Sequence, residues 1–177
     1  MAKLVENTYG DALFELAMEQ KDLDGYDAEV RALRQVLAEN PAFLQMCEHP
    51  NIGKEEKLDT IDKVFKGKMK DELIGLLRMM VEKGHSAEID TVLKYFVNRV
   101  MEEKNIGVAK VITPMPLSDE KKKEVEKKLL ETTKYVSFET EYRVDPELLG
   151  GMVIRIGDRV VDSSVRTKLD TLTKQLR

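Results

Sequence analysis

The sequence predicts an α+β protein in two parts. Residues 1–105 form an all-α bundle of six helices. Residues 106–177 form a small α+β domain with a mixed four-stranded sheet. Three observations lead there. Apolar residues recur at helical spacing through the first hundred positions. At Asn105-Ile106-Gly107 the period changes to an alternation of β-branched residues. The charge changes at the same place, from a net −6 over residues 1–105 to +2 over residues 106–177.

The first helix is expected over residues 4–20. Val5, Tyr9, Ala12, Leu13, Leu16 and Ala17 share one broad face, while Phe14 and Met18 fall on another. Asp22-Leu23-Asp24-Gly25 reads as a break. The second helix, Tyr26 to Glu39, presents Val30, Leu33, Val36 and Leu37 to the core. Asn40-Pro41 punctuates, since the residue before proline is pushed out of the helical region. A short helix follows from Ala42 to Cys47, then a break at His49-Pro50-Asn51. Lys54 to Phe65 buries Leu58, Ile61, Val64 and Phe65, and ends at Lys66-Gly67-Lys68, where the helix dipole favours basic residues.

The fifth helix, Asp71 to Lys83, is apolar around most of its circumference. Leu73, Ile74, Leu76, Leu77, Met80 and Val81 cover a wide arc that Met79 widens further, with Gly75, Arg78 and Glu82 on the polar side. Such a helix is buried on most sides or lines a groove that something apolar fills. Gly84 is a natural C-cap. The sixth helix, Ser86 to Lys104, buries Ile89, Val92, Leu93, Phe96, Val97, Val100 and Met101.

Beyond the boundary, Val108 to Thr113 alternates as a strand and stops at Pro114 and Pro116. Ser118 caps a helix that buries Val125, Leu129 and Leu130; its Lys121-Lys122-Lys123 run reads as a solvated face. Val136 to Val144 is a second strand, a parallel neighbour of the first. After Asp145-Pro146-Glu147 comes the most distinctive stretch, Leu148 to Ser164. It holds the pair Gly150-Gly151, a strand from Met152 to Ile156, and Gly157-Asp158 as a two-residue hairpin turn into Arg159 to Val161. Asp162, Ser163 or Ser164 caps a final helix with Val165, Leu169, Leu172 and Leu176 on one stripe.

Several function classes are excluded by composition. At 35% charged residues against an average near 25%, the chain has a soluble, helix-rich balance. No run of ~18 apolar residues occurs, so membrane association is expected through a partner. Cys47 is the one cysteine and rules out an internal disulfide. His49 and His85 stand apart from any metal-ligand spacing, so no metal is expected. Gly53-Lys54 and Gly67-Lys68 lack the rest of a phosphate loop, and Gly150-Gly151 precedes a strand rather than a helix. No nucleophile motif or matched pair of carboxylates is visible, so neither catalysis nor a cofactor is expected.

Two segments nevertheless resemble a known family, the delta subunit of bacterial F-type ATP synthases, called the oligomycin sensitivity-conferring protein in mitochondria. Tyr9-Gly10-Asp11-Ala12-Leu13-Phe14-Glu15-Leu16-Ala17 is similar to that family's opening run, with Gly10 where alanine is common. Val144 to Asp158, continued by Val160-Val161-Asp162-Ser163-Ser164-Val165-Arg166, resembles its C-terminal signature. Gly150, Gly151, Gly157, Asp162 and Ser164 belong to that signature and carry a structural role.

The resemblance implies a non-catalytic stator, one copy per complex, peripheral on the cytoplasmic face of the cell membrane. It keeps the catalytic head from turning with the shaft and so couples ion flow to ATP synthesis. The helical domain is then expected to grip N-terminal segments of the α subunit in a groove between its first and fifth helices, and the second domain to join the C-terminal helices of the b subunits. The first and fifth helices are also the two whose apolar surface exceeds one core face. Tyr9, Ala12, Leu13, Leu76, Met79, Met80 and Lys83 are the residues expected in or beside that groove. The competing readings are a nucleic-acid- or ribosome-associated factor using the second domain and its lysines, and a small enzyme or ligand-binding protein.

Overall fold

The computed structural model describes residues 2–167. The chain falls into two compact units, residues 1–100 and 101–177. Most of the expected final helix, with Leu169, Leu172 and Leu176, lies outside the described residues.

The first unit is helical. Its elements are α1 (Ala2–Glu19), α2 (Leu23–Glu39), α3 (Pro41–Glu48), α4 (Lys54–Phe65), α5 (Asp71–Glu82), a 3-10 turn (Ser86–Glu88) and α6 (Ile89–Glu103), whose last turn passes into the second unit. The break expected at residues 22–25 is narrower than that. The carboxylate of Asp22 accepts the N–H of Gly25 at 3.1 Å, and this cap starts α2 at Leu23, three residues early. The core is formed by Tyr26, Val30, Leu33, Ile61, Leu73, Leu77, Met80, Ile89, Val92, Leu93, Phe96 and Val100, all essentially inaccessible. Three expected core residues are not in it: Leu58 is half-buried, and two others are exposed. Val36 is 43% and Val64 36% exposed. They flank a pocket of about 270 Å³ between α2 and α4 that Phe65 and Met69 also line.

A polar network holds the ends of α1, α2 and α5 together. Lys70 donates to Asp22 at 2.7 Å and its ammonium lies over the ring of the buried Tyr26. The Tyr26 hydroxyl donates to Gln20, and Gln20 donates in turn to Glu72.

Among the described residues, the second unit is a mixed sheet with a helix packed on it. Its elements are β1 (Ile106–Thr113), α7 (Asp119–Thr132), β2 (Ser137–Val144), a 3-10 turn (Pro146–Leu148), β3 (Val153–Ile156) and β4 (Arg159–Asp162). The strand order is β2-β1-β3-β4. β1 pairs parallel with β2 and antiparallel with β3. The hairpin β3–β4 turns on two residues, with a positive φ of 54° at Gly157 alone of the pair, the pattern of a type II′ turn. β1 begins two residues before the expected start, because Gly107 lets the Phe138 ring approach to where a Cβ would stand, 2.4 Å away.

One face of the sheet is apolar. Ala109 and Val111 of β1 pack with Val125 and Leu129 of α7, flanked by Phe138, Tyr142, Met152, Ile154 and Ile156. Leu130, expected in this core, is 39% exposed. The opposite face is charged, with Glu141 held between Lys110 and Arg143.

Candidate partner-binding surfaces

Two regions merit description, one in each unit. In the first unit, α1 and α5 lie side by side and antiparallel. Gln20, just past the end of α1, is bonded to Glu72 in the first turn of α5 at 2.9 Å. Near the other end, the Tyr9 ring contacts His85, with centroids 6.0 Å apart. The two spans agree in length: residues 9–20 and 72–85 each cover roughly 17–20 Å at 1.5 Å per residue. His85 reaches Tyr9 because α5 ends in a Schellman motif. Gly84 takes φ +80°, its N–H bonds Val81, and the N–H of His85 bonds Met80.

The seven residues expected at this groove divide by depth. Leu13 (3% exposed) and Met80 (0%) are core side chains, and Leu76 lies just beneath the surface. Tyr9 is half-buried under His85, whereas Ala12, Met79 and Lys83 are exposed. On α5 the exposed positions Gly75, Met79 and Lys83 are four residues apart and therefore line one edge. The second apolar side of α1 is partly covered within the chain, because the Arg99 guanidinium lies 5.2 Å from the Phe14 ring centroid.

The region that sequence reasoning missed lies in the second unit. A cleft of about 810 Å³ opens beside α7 on the apolar face of the sheet. Met152, Ile154, Ile156 and Val161 line its floor, and Val125 and Leu129 line the wall on the α7 side. Four strands span about 14 Å between outer axes, and a helix is about 10 Å across, so α7 by itself leaves part of the apolar face uncovered.

Two of the signature residues, Gly150 and Gly151, line this cleft. Gly151 has φ +77°, and a Cβ on it would stand 2.3 Å from the carbonyl oxygen of Ser163. A Cβ on Gly150 would stand 2.9 Å from the Val165 side chain. The pair is thus needed for a close crossing of two chain segments as well as for a bend. Asp162 accepts the Ser164 N–H at 2.8 Å and the Thr167 hydroxyl at 2.6 Å, and the latter bond chiefly holds its carboxyl below the usual range. The buried Ser164 accepts the Thr167 N–H, which makes it the N-cap of the helical turn at residues 165–167.

Two lysines of α7 have partners within the unit. Lys122 pairs with Asp119 and lies over the Tyr142 ring, and Lys128 pairs with Glu124. Among the described residues no group of three or more His, Cys, Asp or Glu could hold a metal ion. No helix among them is long and apolar enough to cross a membrane.

The family model described as ATP synthase delta (OSCP) subunit matches residues 5–176. The chain belongs to the ATP synthase delta (OSCP) subunit family. Curated relatives of this delta/OSCP chain agree over nearly its whole length. It is 48% identical to the ATP synthase subunit delta of Lachnoclostridium phytofermentans, over 99% of this chain and 97% of that protein. It is 34% identical to the subunit delta of Desulfitobacterium hafniense, over 97% and 96%. In fold it is similar to a chain of the Toxoplasma gondii mitochondrial ATP synthase hexamer, with a TM-score of 0.75, 24% identity, and coverage of 97% and 96%. None of these comparisons supports a nucleic-acid-binding role for a delta/OSCP subunit.

Proposed function

We propose that the two units divide a mechanical task. Residues 1–105 grip N-terminal segments of the α subunits on the catalytic head, and residues 106–177 join the C-terminal helices of the b subunits, at the cytoplasmic face of the membrane. As a member of the delta/OSCP family the protein is a non-catalytic stator subunit of the ATP synthase peripheral stalk. It prevents the head from rotating with the shaft, and ATP synthesis coupled to ion transport depends on that. One copy per complex suffices for this role.

The observation that carries the head-binding half is the α1–α5 pair. Ala12 of α1 and Met79 and Lys83 of α5 are exposed, next in sequence to the buried Leu13 of α1 and Met80 of α5, and this supports reading the pair as a docking surface. An incoming amphipathic helix needs such a surface for anchors at i, i+3, i+4 and i+7. Methionine adapts to the shape of a partner. A permanent joint of this kind calls for nanomolar affinity, about −12 kcal/mol, supplied mainly by buried apolar anchors.

Titration of the full-length chain with a synthetic peptide of the α-subunit N-terminal segment tests this reading. Saturable nanomolar binding that Met79→Asp weakens at least tenfold, with melting unchanged, is expected. Absence of saturable binding would overturn it.

A further inference from the structure

We infer that Gly75 is a seat for the partner helix: it leaves a gap in the exposed ridge of α5, and one bulky apolar side chain of the incoming helix lodges there. The partner must then carry a leucine-, isoleucine- or phenylalanine-sized anchor at that point. This rests on the docking reading above and adds to it the residue that selects the anchor.

Every other glycine of the chain has a local reason. At Gly10, Gly25, Gly107, Gly150 and Gly151 an added Cβ would stand less than 3.0 Å from a neighbouring atom. Gly67, Gly84 and Gly157 take a positive φ, which side-chain-bearing residues rarely adopt. Gly53 is the N-cap of α4, a position where glycine is favoured. Gly75 has none of these reasons. It lies inside α5, its φ is not positive, and a Cβ on it would meet no described atom within 4 Å. A glycine inside a helix weakens it relative to alanine, because more backbone freedom is lost on folding. A weakness with no cause inside the chain points to a contact outside it.

The gap has a definite frame. Asp71, Gly75, Met79 and Lys83 are all exposed and four residues apart, so they form one ridge along α5. Between Asp71 and Met79 that ridge is bare backbone over two turns, roughly 11 Å. Helices pack by placing side chains of one into the depressions of the other. Met79, 48% exposed, forms one wall of the depression and can shape itself to the anchor. Gly75 is three residues from Glu72, and Leu16 is four from Gln20. Each therefore lies roughly 5–6 Å along its helix from the Gln20–Glu72 hydrogen bond. The half-buried Leu16 supplies apolar surface on α1 at the same height.

The test titrates the full-length chain and two variants with a synthetic peptide of the α-subunit N-terminal segment, alongside melting curves. Gly75→Ala should raise the melting temperature by roughly 4–8 °C, since the helix gains propensity and the methyl meets nothing, yet weaken peptide binding several-fold. Gly75→Leu fills the gap and should weaken binding at least tenfold with no loss of melting temperature. Truncating each apolar residue of the peptide to alanine locates the anchor. One truncation should be costly against the parent chain and nearly without effect against Gly75→Leu. Undiminished binding by Gly75→Leu would overturn the inference and leave the docking reading standing. So would a lowered melting temperature for Gly75→Ala, which would show that the chain itself uses the space. Absence of saturable binding by the parent chain would overturn both.

Discussion

Gly10 and Tyr95 occupy a single space: a Cβ at residue 10 would stand 2.3 Å from Cδ1 of the tyrosine ring. The ring is not free to retreat, because its hydroxyl donates to Asp11 at 2.9 Å. Glycine therefore stands in the middle of α1 for a packing reason, at a helix-propensity cost of about 1 kcal/mol. Gly10→Ala recovers that propensity but overpacks the contact, which costs about 1–3 kcal/mol. The expected net effect is a lower melting temperature. In a Tyr95→Ala background the same change should become stabilising, and a double-mutant cycle measures the coupling.

Neighbouring methionines on α5 should behave oppositely. Met80 is fully buried, so Met80→Ala should cost about 2–5 kcal/mol in urea denaturation. Met79 is 48% exposed, and Met79→Ala should change stability by less than about 0.5 kcal/mol while weakening α-subunit peptide binding.

Two glycines with the same φ of +77° separate conformational strain from close approach. Gly67 has open space where a Cβ would go, so Gly67→Ala meets only the left-handed penalty of about 1 kcal/mol. Gly151 meets the Ser163 carbonyl as well, and Gly151→Ala should cost at least about 2 kcal/mol more. Valine at Gly150 or Gly151 should disrupt the second unit and its hold on the stalk, leaving head-peptide binding intact. Melting curves together with the two binding assays distinguish these outcomes.

Acid should loosen the contact between α1, α2 and α5. The hydrogen bond from Lys70 chiefly holds the Asp22 carboxyl below its usual range, and the bond from Gln20 does the same for Glu72. A lowered folded pKa contributes stability that is complete above the unfolded value, near pH 4, and disappears as pH falls through the folded value. Lys70 is raised, mainly by Asp22, so its share is complete below about pH 10.4 and is lost on going higher. Asp22→Asn retains an oxygen to cap α2 and removes the charge. Urea midpoints between pH 2 and 6 should then vary less with pH than in the parent chain.

Cys47 should be a silent reporter of unfolding. It is 1% exposed and burial pushes its thiol pKa up, so little thiolate forms and none is accessible. Iodoacetamide should label it only at the rate of global opening, measured by mass spectrometry. Rapid labelling under native conditions would mean that the α3 region opens on its own.

The helices and strands were legible in the sequence wherever one apolar period ran uninterrupted. Central positions such as Val30 and Leu33 are buried as their spacing implies, while side-chain depth at the edges follows from tertiary packing. Val36 and Val64 carry the right spacing for core residues, yet they flank an open pocket, since periodicity names a face and not its partner. Gly25 reads as a breaker in the sequence, whereas the Asp22 cap absorbs it into the first turn of α2. The α1–α5 surface was partly visible as excess apolar arc, but Leu13 and Met80 could not be told from Ala12 and Met79 without tertiary packing. The cleft beside α7 is not legible in the sequence, because which residues line it depends on how the strands and α7 pack, which no local pattern encodes.

The central place of β1 also sets a timetable for biogenesis. Helical contacts of the first unit are mostly local and can form as the ribosome extends the chain. β1 emerges early, but its antiparallel partner is complete only at Ile156, about fifty residues later, or roughly 3–10 s at 5–20 residues per second. Throughout that interval an apolar strand waits with an unpaired edge. Nascent chains stalled before Ile156 should accordingly be protease-sensitive beyond residue 105 and recruit chaperones, while longer ones should not.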